Sequence, residues 1–283
     1  MGQVASTGIP NTGYHTQTGP ISRIDVSPQP VAPIYDSSKT YVAFVVGDGD
    51  NLWHLKYKFV DFFKERIDYC ADNPDCYPMT WTMSPEAARQ MPDIVRHHAS
   101  QMISTGSDYW TLPPSGSLYS YPSMMSAAGQ TAYIEETQRD MNMYSTRCSV
   151  HWEWFYSWRA ALHGYFPRWG EFASDPRGFV LTNVPYMFPM WIFSGEDFRV
   201  VGDSVFLFKP NEWRHSSATP GEMADSLNGL PGGYITPVYT TYDGSLDPIA
   251  NTIDLVDNLL GEHVVVVSLE NLLDLAVQKH AGK

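Results

Sequence analysis

The chain has 283 residues, long enough to bury a large core as one α/β barrel or as two small domains. Its 18 lysines and arginines stand against 31 aspartates and glutamates, a formal charge of −13 with no basic run. That balance argues against nucleic acid, whose binding rests on clustered cations, and suits neutral sugars or cations better than polyanions. No apolar stretch reaches the ~20 residues of a membrane span. P-loop, GxSxG, dinucleotide and HExxH patterns are also absent, which removes the commonest kinase, serine hydrolase, dehydrogenase and zinc-protease readings.

Residues 1–38 are rich in Gly, Ser, Thr and Pro without apolar periodicity, and read as a linker or extended arm ahead of a domain over residues 39–283. Tyr41 to Val46 is a continuous apolar run, as expected of a strand buried on both faces. Leu52, Leu55, Phe59, Phe62 and Phe63 then recur at helical spacing. Cys70 and Cys76 bracket a turn-rich loop that would bring them within bridging distance, leaving Cys148 single and buried. A disulfide there would support a secreted or extracellular origin, although no signal peptide precedes the domain. Pro78 to Met83 reads as a second strand. Ser84-Pro85-Glu86 then opens a helix to about Ser104, with His97 and His98 on its solvated face.

A third strand, Asp108 to Leu112, leads into a proline- and glycine-rich loop and a helix from about Met124 to Tyr144. The fourth, Cys148 to Tyr156, precedes a helix near Trp158. The fifth is Gly178 to Val184, followed by an irregular aromatic stretch from Pro185 to Phe198. Val200 to Phe208 reads as one strand, Pro220 to Asn228 as a helix and Tyr234 to Thr240 as a strand. A helix from Pro248 to Leu260, a strand from His263 to Val267 and a helix from Leu269 to Lys279 close the chain. Strands separated by helices predict an α/β fold. The expected form is (β/α) barrel-like, with seven or eight mostly parallel strands, distorted around the fifth and sixth. An open doubly wound sheet is the main rival.

In either architecture, reactive groups gather at the carboxyl ends of the strands. The first strand ends in Asp48-Gly49-Asp50-Asn51. That turn has three readings: a helix cap, a sugar or catalytic contact, or oxygen ligands for a hard cation such as calcium. The third ends in Ser115-Gly116-Ser117-Leu118-Tyr119-Ser120-Tyr121-Pro122, where two prolines and a glycine stop the ladder and two tyrosines are displayed at i and i+2. Each tyrosine joins an apolar ring to a hydrogen-bonding tip, a surface suited to a sugar. Aromatic residues make up 14% of the chain, with 9 Trp and 17 Tyr, which favours a site lined by rings. The fourth strand, His151-Trp152-Glu153-Trp154-Phe155-Tyr156, buries a glutamate among them.

The Gly116–Pro122 run resembles the signature of the GxGYxYP family, with Leu118 in place of its second glycine. Val45-Val46-Gly47-Asp48-Gly49-Asp50-Asn51 and Thr80-Trp81-Thr82-Met83-Ser84-Pro85 are similar to segments of that family's C-terminal domain, in the same order and spacing. The resemblance implies a carbohydrate context, with the family's usual N-terminal domain not visible in this chain. The expected function is hydrolysis of glycosidic bonds by a carboxylate acid/base pair drawn from Asp48, Asp50, Glu153, Asp243 and Glu270. Asn51, Trp81, Ser84, Tyr119, Tyr121 and Trp154 would bind the sugar, with no cofactor unless calcium sits at Asp48 and Asp50. The alternative is a non-catalytic carbohydrate-binding or structural module on the same fold.

Overall fold

The all-apolar run after Lys39 becomes β1 (Thr40–Val46), buried at every position. The computed structural model describes residues 21–182, 190–213, 218–240 and 248–282. Asn51 caps the helix that follows, α1 (Leu52–Asp72), its side-chain oxygen accepting from the amides of Trp53 and His54. β2 (Met79–Thr82) leads through the Ser84 cap into α2 (Pro85–Gln90). Pro92 then starts a separate helix, α3 (Pro92–Thr105), where one continuous helix was expected. β3 (Asp108–Thr111), α4 (Ala127–Tyr144) and β4 (Cys148–His151) follow.

A helical run from Trp158 passes through a π turn at Ala161–Tyr165 into α5 (Phe166–Phe172). β5 (Arg177–Leu181) comes next. The expected strand Val200 to Phe208 is instead a hairpin, β6 (Phe198–Val201) and β7 (Val205–Phe208), turning where Gly202 adopts φ 61°. A short β8 (Asn211–Trp213), not anticipated, precedes α6 (Pro220–Asn228) and β9 (Ile235–Thr240). α7 (Pro248–Asp254), β10 (Val264–Val266) and α8 (Leu269–Ala281) complete the described chain.

The strands divide between two sheets. One runs β3-β2-β1-β9-β8, all parallel, with β10 pairing to the first residues of β1 and β2 to its last. The other runs β4-β5-β7-β6, parallel except for β6. A parallel bridge joins them where the Val150 amide donates to the Leu112 carbonyl at 2.9 Å. Across Lys209-Pro210, β7 also leads directly into β8. The expected parallel α/β architecture with helical crossovers is present.

β1 sorts its side chains by alternation. Val42, Phe44 and Val46 join the larger core beneath α1 and α3, whereas Tyr41, Ala43 and Val45 join a second core with residues of β4, β5, β7, β9 and α8. α8 packs on strands of both sheets. Its four leucines, Leu269, Leu272, Leu273 and Leu275, are at most 1% exposed. At about 1.5–3 kcal/mol each, they supply about 6–12 kcal/mol of burial.

Cys70 and Cys76 form the expected disulfide, with Cα atoms 5.3 Å apart, and Cys148 is free and buried. His98 departs from expectation: it is buried, its Nε2 lies 2.7 Å from the Leu55 carbonyl, and desolvation lowers its pKa to about 4. The arm carries no helix or strand over residues 21–38, but is tied to the body by Ile24 to Met143, Gln29 to Ser268 and Tyr35 to Gln278.

Candidate functional site

After Leu112 the chain cannot continue as strand through Pro113-Pro114, and it folds onto α4 instead. Gly116 adopts φ 106°, and a Cβ there would fall 2.6 Å from Thr137 Cγ2, so only glycine fits. Ser117 Oγ donates to Asp140 Oδ2 at 2.6 Å. The Leu118 amide donates to the Tyr133 hydroxyl at 3.0 Å, and that hydroxyl donates back to the Leu118 carbonyl at 2.6 Å. Leu118 is not among the residues of positive φ and packs on the larger core, so the motif's second glycine is not needed here.

The loop is also stitched to the exit of β4. Ser115 Oγ donates to the Trp152 carbonyl and accepts from the Trp152 amide, at 2.8 and 3.1 Å. Glu153, fully enclosed, accepts from the Ser123 amide at 3.0 Å, Ser123 Oγ at 2.5 Å and Ser157 Oγ at 2.9 Å. His151 Nε2 lies 3.2 Å from Glu153 Oε1, the oxygen that accepts from the Ser123 amide.

These bonds hold a chain of rings at the rim. Tyr119 meets Trp152 edge to face with centroids 3.9 Å apart, Trp152 lies 6.3 Å from Tyr121, and Tyr121 lies 5.8 Å from Trp154. The two end members keep one side to solvent, Tyr119 at 38% and Trp154 at 40% exposure. Phe155 and Tyr156 extend the exposed aromatic surface, because β4 stops at His151 and the chain turns outward where a strand to Tyr156 was expected.

The exit of β1 lies on the same carboxyl-end rim. Gly47 and Gly49 let its backbone press against neighbouring strands: a Cβ on Gly49 would sit 1.8 Å from the Thr82 carbonyl oxygen, and one on Gly47 2.7 Å from the Tyr239 hydroxyl. The Gly49 amide donates to Thr82 Oγ1, and the Ser84 amide to the Gly49 carbonyl, both at 2.9 Å. Asp48 adopts φ 63°, the left-handed region that most side chains avoid. Asp50 is half-buried, and desolvation raises its carboxyl to about 6, opposed by a hydrogen bond from its own amide.

Of the residues singled out from sequence, Asp48, Asp50 and Asn51 share this turn, with Ser84 bonded beside it. Tyr119, Tyr121 and Trp154 share the ring chain. Other expected residues go elsewhere. Trp81 is fully buried, stacked 4.2 Å from Phe63 with its indole N–H on Asp108 Oδ1 at 2.8 Å, so it offers no face to a ligand. Asp108 in turn pairs with the buried Arg66 at 3.1 Å. Ser84 is 5% exposed and spends its oxygen capping α2.

Glu270 lies at the opposite end of β4, accepting from Thr146 Oγ1, the Arg147 amide and Arg147 Nε at 2.6–2.9 Å. Four residues of chain from Arg147 to His151 separate its partners from those of Glu153, about 13 Å, so the two glutamates do not face each other. A cavity of about 670 Å³ lies at that far end, lined by Arg23, Arg139, Arg147, Arg177 and Glu270. Asp243 lies outside the described residues. Trp152 and Asp140 were missed, although the density of rings after His151 was a usable signal for Trp152.

Among the described residues, no group of three or more His, Cys, Asp or Glu is set to hold a metal ion, and no helix is long and apolar enough to cross a membrane.

Residues 38–154 match the family profile described as the GxGYxYP putative glycoside hydrolase C-terminal domain. The resemblance read from the three sequence segments is borne out over that span, which holds both the Asp48–Asn51 turn and the ring-bearing loop. Among solved structures, a putative hydrolase from Bacteroides thetaiotaomicron VPI-5482 is similar with TM-score 0.67 and 17% identity, over 91% of this chain and 48% of its own. A 4-alpha-glucanotransferase from Thermococcus litoralis gives TM-score 0.51 and 9% identity, over 83% of this chain and 40% of its own. At such identities the likeness is one of fold, and the chain spans half or less of the length of these two structures. No curated protein matches it.

Proposed function

We propose that this chain is a carbohydrate-active enzyme domain that hydrolyses glycosidic bonds, with its site on the carboxyl-end rim. The observation that carries the reading is that a carboxylate turn, Asp48 and Asp50, and a pinned, partly exposed aromatic platform lie on one carboxyl-end rim, within the span that matches a family described as putative glycoside hydrolase. In this reading Asp50, whose carboxyl keeps its proton to about pH 6, is the general acid, and Asp48 is its partner carboxylate. Tyr119, Tyr121 and Trp154 bind the carbohydrate by stacking elsewhere on the same rim, while Asn51 positions the turn. Asp243 remains a further candidate carboxylate from the sequence alone.

The two sheets are read together as one distorted (β/α) barrel. Its wall runs β1-β2-β3, over the Leu112–Ser149 bridge to β4-β5-β7, and through Lys209-Pro210 to β8-β9. The Cys70–Cys76 bond supports a secreted or extracellular setting.

The test is release of reducing ends from a panel of neutral polysaccharides by the wild-type chain and by Asp50→Asn. A loss of turnover of about 10²-fold or more in the variant, with sugar binding retained, is expected. Undiminished turnover would remove Asp50 from the chemistry. Glu153 and Glu270 are both committed to internal hydrogen bonds, which favours a second reading, a non-catalytic carbohydrate-binding module. Binding without release of sugar by the wild-type chain would establish it. Calcium at Asp48 and Asp50 is tested by melting: a rise in Tm at saturating calcium would assign the turn to a cation.

A further inference from the structure

We infer that the ligand is an extended, uncharged glycan chain, laid across the rim so that the rings hold sugar units other than the one at Asp50. This rests on the carbohydrate reading of the site and specifies its substrate class. In the parallel sheet β1, β2 and β3 are consecutive neighbours, and β4 follows through the Leu112–Ser149 bridge. The Asp48–Asn51 turn leaves β1, whereas the rings leave β3 and β4. Two to three strand spacings therefore separate the carboxyl turn from the rings, about 10–15 Å. A single sugar does not fill that distance, so a monosaccharide at Asp50 leaves the platform unused.

The platform itself comprises four rings, with centroid steps of 3.9, 6.3 and 5.8 Å from Tyr119 through Trp152 and Tyr121 to Trp154. It is also preformed. The bonds from Ser115 to Trp152, Ser117 to Asp140, Leu118 to Tyr133 and Ser123 to Glu153 fix the loop, so binding need not order it. Stacking on rings desolvates the apolar face of a sugar without requiring charge. Asp48 and Asp50 at one end, on a chain of net charge −13, select against uronate or sulfated chains.

The experiment is binding of malto-oligosaccharides, cello-oligosaccharides and oligogalacturonates, each from monosaccharide to hexasaccharide, by calorimetry and tryptophan fluorescence. The proteins are the wild-type chain, Trp154→Ala, Trp154→Tyr and Asp50→Asn. Affinity for one neutral series should rise with length, fall about tenfold or more in Trp154→Ala for the long members, and recover in Trp154→Tyr. The monosaccharide should bind Trp154→Ala and the wild type alike, and the oligogalacturonates should bind more weakly than the neutral series. Length-independent affinity, wild-type affinity in Trp154→Ala, or binding of no neutral series overturns the inference. If Asp50→Asn abolishes hydrolysis while Trp154→Ala changes nothing, the hydrolase reading stands and the extended ligand falls. If Asp50→Asn retains turnover while length dependence through Trp154 persists, the extended ligand stands and the catalytic role falls.

Discussion

Desolvation of Asp50 acts in opposite senses on stability and on chemistry. With its folded-state pKa raised from the usual 3.8 to about 6, the group favours folding fully below about pH 4 and loses that contribution as pH rises through 6. Above pH 6 the ionised carboxylate opposes the native state. Asp50→Asn should therefore raise stability at pH 7 by about 1–2 kcal/mol, allowing for the side chain's contact with solvent, and leave it unchanged near pH 3.5. Denaturant midpoints at the two pH values check this, and equal shifts at both would refute the desolvated carboxyl. Under the hydrolase reading, turnover should also decline as pH rises past 6, when the acid loses its proton. Glu153 is the contrasting carboxylate. Glu153→Ala strips partners from the Ser123 amide and from the Ser123 and Ser157 hydroxyls, and should cost about 2–4 kcal/mol in a urea titration. Lost turnover with an unmoved midpoint would return it to the list of acids. The difference between the two was not legible in sequence, because whether a carboxyl is enclosed by donors depends on loops distant along the chain. Trp81 shows the same limit: alternation sets it opposite Thr80 and Thr82, but both faces of β2 are buried, and only the packing of α1 shows that the indole faces a filled core and not a ligand.

At the scale of the element, the turn after β3 was legible because its chemistry is local. Two prolines end the strand and Gly116 takes a conformation that other residues resist. Less legible was what the loop rests on, since Tyr133, Thr137 and Asp140 reach it from successive turns of α4. Leu118→Gly, which restores the family's glycine, should destabilise the protein by about 1–3 kcal/mol, because it removes packed apolar volume and adds backbone freedom. A thermal melt at or above the wild-type Tm would show that Leu118 strains the loop instead. Strand positions were read well where a run was long and apolar, as in β1 and β9. They failed where an interruption was short: Gly202-Asp203-Ser204 folds one expected strand into a hairpin, and three-residue β8 is too brief to carry a period.

On the scale of the whole molecule, alternating strands and helices announced the α/β class, but not the division into two sheets, which a single bridge, Leu112 to Ser149, joins between β3 and β4. The Cys70–Cys76 bond closes only a short loop at the end of α1. Its reduction should lower stability by about 2 kcal/mol without changing the fold, as measured by Tm with and without reductant. No change would mean that the loop is equally ordered without the bond.

α8 has a different kind of importance. It fills a core whose walls are β1, β4, β5, β7 and β9, so during synthesis every wall is made before the piece that belongs between them. A nascent chain stopped short of Leu269 presents two finished rows of apolar side chains, Tyr41-Ala43-Val45 on one sheet and Val150, Val180 and Phe206 on the other, with nothing yet to cover them. The sheets must either wait for thirteen more residues or close on each other wrongly, and the interval before α8 emerges is when this chain most needs a chaperone.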